Sequence, residues 1–144
     1  QNLKLCKLPK DVEILIVMGT NAPHLKTVEN MARQFTYSTR IEVNVTNMAE
    51  LMANSDLAIG AAGSTSWERC CLGLPTIQVV IADNQRAAAD ALAKHQAAKS
   101  IDNLQQLSKF VDSFDEWAIS VSQKSRKLCD GLGTSKVIQK LLCR

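Results

Sequence analysis

The chain has 144 residues, 46% hydrophobic and 22% charged, which is the balance of a globular domain with a core of its own. The net charge of +3 is too small to predict a nucleic acid partner, and the one basic cluster, Lys124, Arg126 and Lys127, is typical of a solvated helix face. No apolar run approaches the roughly 20 residues of a membrane span, and the residues after Gln1 do not resemble a signal peptide.

Apolar runs and helical patterns alternate along the first two thirds of the chain. The predicted strands cover 12–19, 40–45, 56–62, 75–81 and 97–101. The predicted helices cover 24–35, 47–55, 64–72, 84–96, 103–114, 116–129 and 134–143. Asn47 is suited to cap the second helix, and Gly73 ends the third.

This alternation predicts one α/β domain over residues 1–144, with a Rossmann-like open parallel sheet and helices on both faces. The all-helical last third is expected to pack back over the sheet or a neighbouring domain. Because the chain opens on Gln1 and not on methionine, we expect a fragment of a longer protein.

The five cysteines form neither a disulfide framework nor a metal-ligand pattern. Their number is odd, no CxxC is present, and neither histidine stands at a zinc-ligand spacing from a cysteine. We expect small buried thiols, with Cys70 and Cys71 in one helix, in a reducing cytoplasmic setting. The sequence predicts no metal and no other cofactor.

Small and polar residues gather in the loops after four predicted strands, at 19–21, 45–48, 61–65 and 81–85. In open parallel sheets, ligands bind outside the carboxyl ends of the strands. The loops should therefore meet at one edge of the sheet, and this shared edge is stronger evidence for a ligand site than any single motif.

The turn 63–65 predicts an anion site at the start of a helix. Gly63 permits close backbone approach, while Ser64 and Thr65 place hydroxyls beside the free N–H groups of the helix start. Glu68, one turn further, suits the two hydroxyls of a ribose. An N-cap without a ligand, with Thr65 and Glu68 as a capping box, explains the same residues, and both interpretations stay open.

Two further groups are ambiguous. Asp83 and Asn84 are suited to cap the next helix, although the amides of Asn84 and Gln85 also suit sugar hydroxyls. His24 opens a helix on the ligand edge, where either a phosphate contact or a plain surface position fits, and His95 suits a helix surface. No spacing in the chain indicates a nucleophile paired with a base.

The segment NMAELMANSDLAIGAAGSTSWERCCLGLPTIQVVIADNQ (47–85) closely resembles the C-terminal domain of the UDP-sugar hydrolases of pseudaminic acid biosynthesis. That family is related to the GT-B glycosyltransferases and releases UDP from a UDP-2,4-diacetamido-2,4,6-trideoxy-hexose. Looser similarity extends to VEILIVMGTNAPHL (12–25) and DGLGTSKVIQKLL (130–142). The resemblance implies the C-terminal half of a GT-B-type fold, with UDP or a UDP-sugar against it.

The resemblance also implies roles for individual residues. The turn 63–65 matches the segment that faces the diphosphate, Glu68 the acid on the ribose, and Val45 and Met48 positions around the uracil. The two amides at 84 and 85 match positions that reach the donor sugar or ribose. The expected nucleotide-binding residues are Val45, Met48, Gly63, Ser64, Thr65, Glu68, Asn84 and Gln85, with Gly19, Thr20 and His24 as secondary candidates.

In this family the catalytic base belongs to an N-terminal domain, which would precede Gln1 together with the first strand of the present domain. NLKLCKLPKD (2–11) then resembles the tail of the helix after that strand. We therefore assign no catalytic residue to this chain and expect it to be inactive alone, completed by its own N-terminal domain or by a partner chain. The alternatives are the donor-binding domain of a UDP-sugar glycosyltransferase and a non-catalytic nucleotide-binding subunit.

Overall fold

A computed structural model describes residues 2–143. The strands are β1 (Glu13–Met18), β2 (Ser38–Val43), β3 (Ala58–Ala61), β4 (Thr76–Val79) and β5 (Lys99–Ile101). The α-helices are α1 (Leu25–Arg33), α2 (Met48–Ala53), α3 (Thr65–Leu72), α4 (Asp83–Lys94), α5 (Leu107–Val111), α6 (Phe114–Leu128) and α7 (Gly133–Leu142). Short 3-10 helices cover Asn2–Leu5 and Leu104–Gln106. The predicted α/β architecture with parallel strands is confirmed.

The five strands are hydrogen-bonded in two groups. One sheet pairs β1 with β2, and the other has the order β3-β4-β5. Every pairing is parallel, with Ile16 opposite Ile41 in the first sheet and Ile59 opposite Ile77 in the second. The carboxyl ends of the strands within each sheet therefore lie at one edge.

Burial is distributed unevenly between the two sheets. The main core lies on the second sheet and consists of Cys6, Ile77, Ile101, Leu107, Val111, Trp117 and Val121. In contrast, no residue from 7 to 51 is fully buried, although β1 carries an unbroken apolar run, Ile14 to Met18. The second sheet thus holds the compact part of the described chain.

The predicted helix ends agree with the structure at α3 and disagree after β5. Gly73 ends α3 in the left-handed conformation, with φ of 66°, which glycine adopts without the strain of a Cβ. The helix predicted over 103–114 is wrong, because Leu104–Gln106 is a 3-10 turn and α5 ends at Val111. Asn103 favours that turn, since its side chain accepts a 2.8 Å hydrogen bond from the Gln105 amide.

The two C-terminal helices α6 and α7 differ in how much of their surface is buried. Helix α6 packs back against α3, as expected for the helical last third, and buries Trp117 and Val121. Helix α7 has no buried residue. The helix tail expected over 2–11 is limited to the 3-10 turn Asn2–Leu5. Within residues 2–143, no helix is long and apolar enough to cross a membrane.

The cysteines are all free thiols, but they do not share one environment. Cys6 and Cys70 are buried as expected, and Cys129 is half-buried. The expectation is wrong for Cys71 and Cys143, which lie exposed. Desolvation raises the pKa of Cys70 to about 11. The Cys70 thiol therefore stays protonated near neutral pH and packs as a small apolar group.

Candidate functional site

The turn between β3 and α3 presents three consecutive backbone N–H groups. The first return hydrogen bonds run from the Ser66 amide to the Gly63 carbonyl and from the Trp67 amide to the Ser64 carbonyl, each at 3.0 Å. The amides of Gly63, Ser64 and Thr65 have no acceptor among the described residues. Unpaired amides at a helix start attract anions, and the helix dipole adds to that attraction.

Glu68 stands in the first turn of α3 with an exposed side chain. Within residues 2–143 its carboxylate takes part in no hydrogen bond and no ion pair of the structure. Ser64 makes no side-chain capping bond either. The capping-box alternative is therefore not realised, and the carboxylate is available to accept hydrogen bonds from a ligand.

Arg69 lies directly beneath this turn and is only 5% exposed. Its Nη2 donates to the Ala61 carbonyl at 2.7 Å and to Ser66 Oγ at 3.1 Å, and its Nε donates to the Thr65 carbonyl at 3.3 Å. Desolvation lowers the pKa of its guanidinium from the ordinary value of an arginine. No carboxylate forms an ion pair with it in the described chain. The guanidinium holds both ends of the turn and places a positive charge behind it.

The space for Arg69 depends on a glycine. A Cβ built on Gly60 would stand 2.8 Å from Arg69 Nη1. A side chain at this position of β3 would therefore displace the guanidinium from the turn. Gly60 thus permits the arginine to reach the Ala61 carbonyl.

The β4–α4 loop carries the two amide side chains. Helix α4 begins at Asp83, and the residue before it, Ala82, makes no side-chain cap. The interpretation of Asp83 and Asn84 as caps is therefore wrong. Asn84 is exposed, while Gln85 Oε1 accepts a 3.2 Å hydrogen bond from the Ile81 amide and so fastens the loop.

The remaining predicted residues follow the strands of the first sheet. Val45 and Met48 are half-buried, in the loop after β2 and at the start of α2, and α2 packs against α3. Gly19 and Thr20 are exposed after β1. His24 is an exposed residue before α1 and makes no side-chain capping bond.

The structure places every predicted residue after the carboxyl end of the strand that precedes it. These strands belong to two separate sheets. The residues after β3 and β4 share one edge, those after β1 and β2 share another, and the α2–α3 contact connects the groups. No side-chain hydrogen bond joins two of the predicted residues within 2–143. The structure thus places the predicted residues in loops at the carboxyl ends of two sheets, without direct bonds between them.

A groove lies at the opposite end of the second sheet. It has a volume of about 540 Å³ and is bordered by Met52, Asp56, Leu74 and Arg126. Met52 and Asp56 precede β3 and Leu74 precedes β4, so the groove is at the amino ends of these strands. Ligands of open parallel sheets bind at the other end. The loops after the carboxyl ends of the strands are therefore the better candidate site.

Arg69 is not among the site residues predicted from the sequence. A signal was present, because Arg69 follows Ser66 by three residues and Thr65 by four, which places all three on one face of a helix. Ser66 and Cys70 of the same helix are buried. An arginine on the buried face of a helix, one turn after a Gly-Ser-Thr start, indicates a guanidinium that can donate hydrogen bonds to the preceding turn.

Parallel strands that alternate with helices, and a helix that starts directly after β3, define an α/β domain of Rossmann-like architecture. Residues 1–118 match the glycosyltransferase family 28 C-terminal domain. The chain belongs to this family.

Two relatives extend the comparison. The spore coat polysaccharide biosynthesis protein SpsG of Bacillus subtilis is 28% identical over 137 residues, which are 89% of this chain and 40% of that protein. Protein MJ1062 of Methanocaldococcus jannaschii is 30% identical over 93 residues, 63% of this chain and 19% of that protein. The chain therefore spans less than half the length of these relatives.

Solved glycosyltransferases share the fold. Streptomyces SsfS6 in complex with thymidine diphosphate superposes with a TM-score of 0.59 at 14% identity, over 93% of this chain and 42% of that one. The spinosyn rhamnosyltransferase SpnG superposes with a TM-score of 0.55 at 16% identity, over 92% and 46%. The predicted fold, the C-terminal half of a GT-B-type structure, is confirmed.

Proposed function

We propose that this chain is the UDP-binding half of a UDP-sugar hydrolase that releases UDP and a free 2,4-diacetamido-2,4,6-trideoxy-hexose in pseudaminic acid biosynthesis. The observation that carries the nucleotide site is the uncommitted carboxylate of Glu68 beside three unpaired amides of the β3–α3 turn. A carboxylate suits the two ribose hydroxyls, and the amides suit a phosphate one turn away. The proposed ligand therefore places its ribose on Glu68 and its diphosphate on the turn 63–65.

In this proposal the chain stabilises the leaving group. When the anomeric C–O bond breaks, negative charge grows on the β-phosphate oxygen. The amides of the turn, the dipole of α3 and the buried charge of Arg69 are fixed before the reaction and favour that charge. The half-buried Val45 and Met48 would frame the uracil, and the amides at 84 and 85 would reach the sugar.

The group that activates water is proposed to lie in an N-terminal domain of the same protein or in a partner chain. The relatives SpsG and SpnG are more than twice as long as the matched region, which supports a two-domain parent. Five free thiols fit a reducing, cytoplasmic compartment. The second candidate is a glycosyltransferase with the same UDP site and a sugar acceptor, which the glycosyltransferase family match favours.

Base selectivity tests the proposed nucleotide. If Val45 and Met48 frame a uracil, UDP should bind about tenfold more tightly than ADP or GDP, because a purine needs more space at the same position. Isothermal titration of the three diphosphates at one salt concentration gives the comparison. Equal affinities would reject the uracil assignment and leave a phosphate site alone.

Substitution of Glu68 tests the ribose contact. In Glu68→Gln, the loss of charge-assisted hydrogen bonds should weaken uridine, UMP and UDP alike by about tenfold, which corresponds to ~1.4 kcal/mol. Thermal unfolding should hardly change, because the carboxylate bonds to no described residue. Titration calorimetry and a melting curve measure both quantities.

Two variants serve as controls for Glu68. Ser64→Ala should weaken UDP more than uridine, because its proposed partner is the diphosphate. Glu116→Gln changes an exposed acid in the first turn of α6 and should leave both affinities unchanged. If the Glu68→Gln protein kept full uridine affinity, Glu68 would be an ordinary surface residue of the helix and not a ribose ligand.

A further inference from the structure

Three thiols come together where the end of α3 meets the end of α6. Cys70 and Cys71 lie in the last turn of α3, and Cys129 is the residue directly after α6. The half-buried Cys129 packs against the buried Cys70. This group of three thiols lies at the end of α3 that is farthest from the turn 63–65, so it is separate from the candidate nucleotide site.

The Cys71 thiol lies against the backbone of the loop that follows Cys129. A Cβ built on Gly131 would stand 2.8 Å from Cys71 Sγ. Gly131 has a φ of 72°, in the left-handed region that glycine adopts without strain. Because glycine has no side chain, the loop reaches the Cys71 thiol only two residues after Cys129.

A direct interaction also links the two thiols. Desolvation raises the pKa of Cys71, and a hydrogen bond with the Cys129 side chain raises it further. Thiols within hydrogen-bonding reach need little movement to adopt the geometry of a disulfide. The raised pKa also makes the Cys71 thiolate scarce near neutral pH, so the pair should stay reduced until an oxidant is supplied.

Polar contacts hold the loop between α6 and α7 in this position. The Leu132 amide donates a 3.0 Å hydrogen bond to Asp130 Oδ1, and Lys136 Nζ forms an ion pair with Asp130 Oδ2. Helix α6 itself packs against α3. A disulfide between Cys71 and Cys129 would therefore join segments that are already in contact.

The remaining cysteines are less suited to the same reaction. Cys6 is 6% exposed and Cys70 is 3% exposed, so a solute reaches neither thiol easily. Cys143 is exposed, but it lies at the end of α7, a helix without buried residues. Only Cys71 combines an exposed position with a thiol partner on a second element of the described chain.

We propose that Cys71 and Cys129 form an oxidation-sensitive thiol pair, which hydrogen peroxide converts into an intramolecular disulfide that joins the end of α3 to the α6–α7 loop. In reducing compartments, disulfides of this kind are transient and respond to oxidants. The proposal does not depend on nucleotide binding.

The reaction has two steps. The Cys71 thiolate attacks one peroxide oxygen, the O–O bond breaks, and hydroxide leaves as Cys71 becomes a sulfenic acid. The Cys129 thiolate then attacks the Cys71 sulfur, the S–S bond forms, and the sulfenic oxygen leaves as hydroxide, which is protonated to water. Overall, two thiols give two electrons and two protons to one peroxide molecule, which becomes two molecules of water.

Peptide mapping tests the proposal on the 144-residue chain. The chain is treated with a small excess of hydrogen peroxide, quenched with catalase, blocked with iodoacetamide and digested with trypsin without a reductant. Mass spectrometry should show one main intramolecular disulfide, between Cys71 and Cys129, and fragmentation separates Cys71 from its neighbour Cys70. The melting temperature should rise by about 10 °C, because the bridge restricts the unfolded chain, and dithiothreitol should reverse the rise.

Four variants control the experiment. Cys71→Ser and Cys129→Ser should each lower the yield of intramolecular disulfide at least about tenfold and remove the rise in melting temperature. Cys143→Ser changes an exposed cysteine outside the group and should leave both quantities unchanged. Gly131→Ala keeps both thiols but places a Cβ against the Cys71 sulfur, so it should lower the yield as well.

Three outcomes would overturn the proposal. The main disulfide would contain Cys70 or Cys143, or it would join two chains, which electrophoresis without a reductant detects. Alternatively, Cys71 would accumulate as a sulfinic acid while Cys129 stays reduced, which would show that the second thiol does not reach the first.

Discussion

Trp117→Ala is expected to lower the free energy of unfolding by about 3–5 kcal/mol, the range for removal of a large aromatic side chain from a core. Trp117 is 6% exposed, and its ring meets Phe114 edge-on with centroids 5.5 Å apart. Its Nε1 donates a 2.8 Å hydrogen bond to the Phe110 carbonyl, which would lose its partner. Urea unfolding followed by circular dichroism measures the change.

The second tryptophan offers a matched control. Trp67 is 41% exposed on α3, so Trp67→Ala should lower stability by less than about 1 kcal/mol. Trp117→Phe keeps the aromatic packing, so its loss of unfolding free energy should lie between those of Trp67→Ala and Trp117→Ala. If Trp67→Ala were as destabilising as Trp117→Ala, the main core would not lie where α6 covers the second sheet.

The sequence predicted most of the fold because its strands and helix ends have strong local signals. β-branched runs mark β1 and β4, and Gly73 marks the end of α3 through its left-handed conformation. The error after β5 arose because the periodic leucines and phenylalanines of 104–114 suit one helix. The Asn103 side chain instead favours a 3-10 turn at the start of this segment, and at its end Asp112 accepts a 2.7 Å hydrogen bond from the Lys7 amide.

Periodicity could not reveal the division into two sheets. A parallel strand has the same apolar pattern whether its edges are paired or open, because the pattern reports the faces and not the edges. The run Ile14 to Met18 predicted a buried strand, and the structure leaves it half-buried. A paired edge and an open edge differ only in the hydrogen bonds of their backbone groups. Those bonds depend on which other strands lie beside the edge.

The candidate site was also predictable from the sequence only in part. Loop positions after each strand were predictable, because they follow from strand direction alone. The choice between a capped helix and an open anion site was not, because Thr65 and Glu68 have a spacing that serves both. The capping box depends on side-chain hydrogen bonds, and neither Ser64 nor the Glu68 carboxylate makes one within residues 2–143. The anion site stays a prediction.

Arg69 connects the fold to this site. The bonds of Arg69 to Ala61, Thr65 and Ser66 join the end of β3 to the first turn of α3, the two segments that present the proposed phosphate amides. A buried guanidinium without a carboxylate is costly to desolvate. Its burial beneath the turn therefore supports a role beyond packing, and we propose that it is a fixed positive charge behind an anion.

Arg69→Ala is expected to lower the free energy of unfolding by about 2–4 kcal/mol and to weaken UDP by at least about tenfold. The stability loss comes from the cavity and from the buried Ser66 hydroxyl and Ala61 carbonyl, which lose their donor. The affinity loss comes from the missing charge behind the turn, so uridine, which has no phosphate, should be affected less. Calorimetry below the melting transition separates the two effects.

Arg69→Lys isolates the charge from the hydrogen bonds. Lysine keeps the positive charge but lacks the planar fork that reaches Ala61 and Ser66 together. It should therefore recover a larger share of UDP affinity than of stability, while Arg69→Met should recover packing without the charge. If Arg69→Met bound UDP as tightly as the unaltered chain and bound uridine equally well, the guanidinium would have no part in the anion site. The turn 63–65 would then depend on its backbone amides alone.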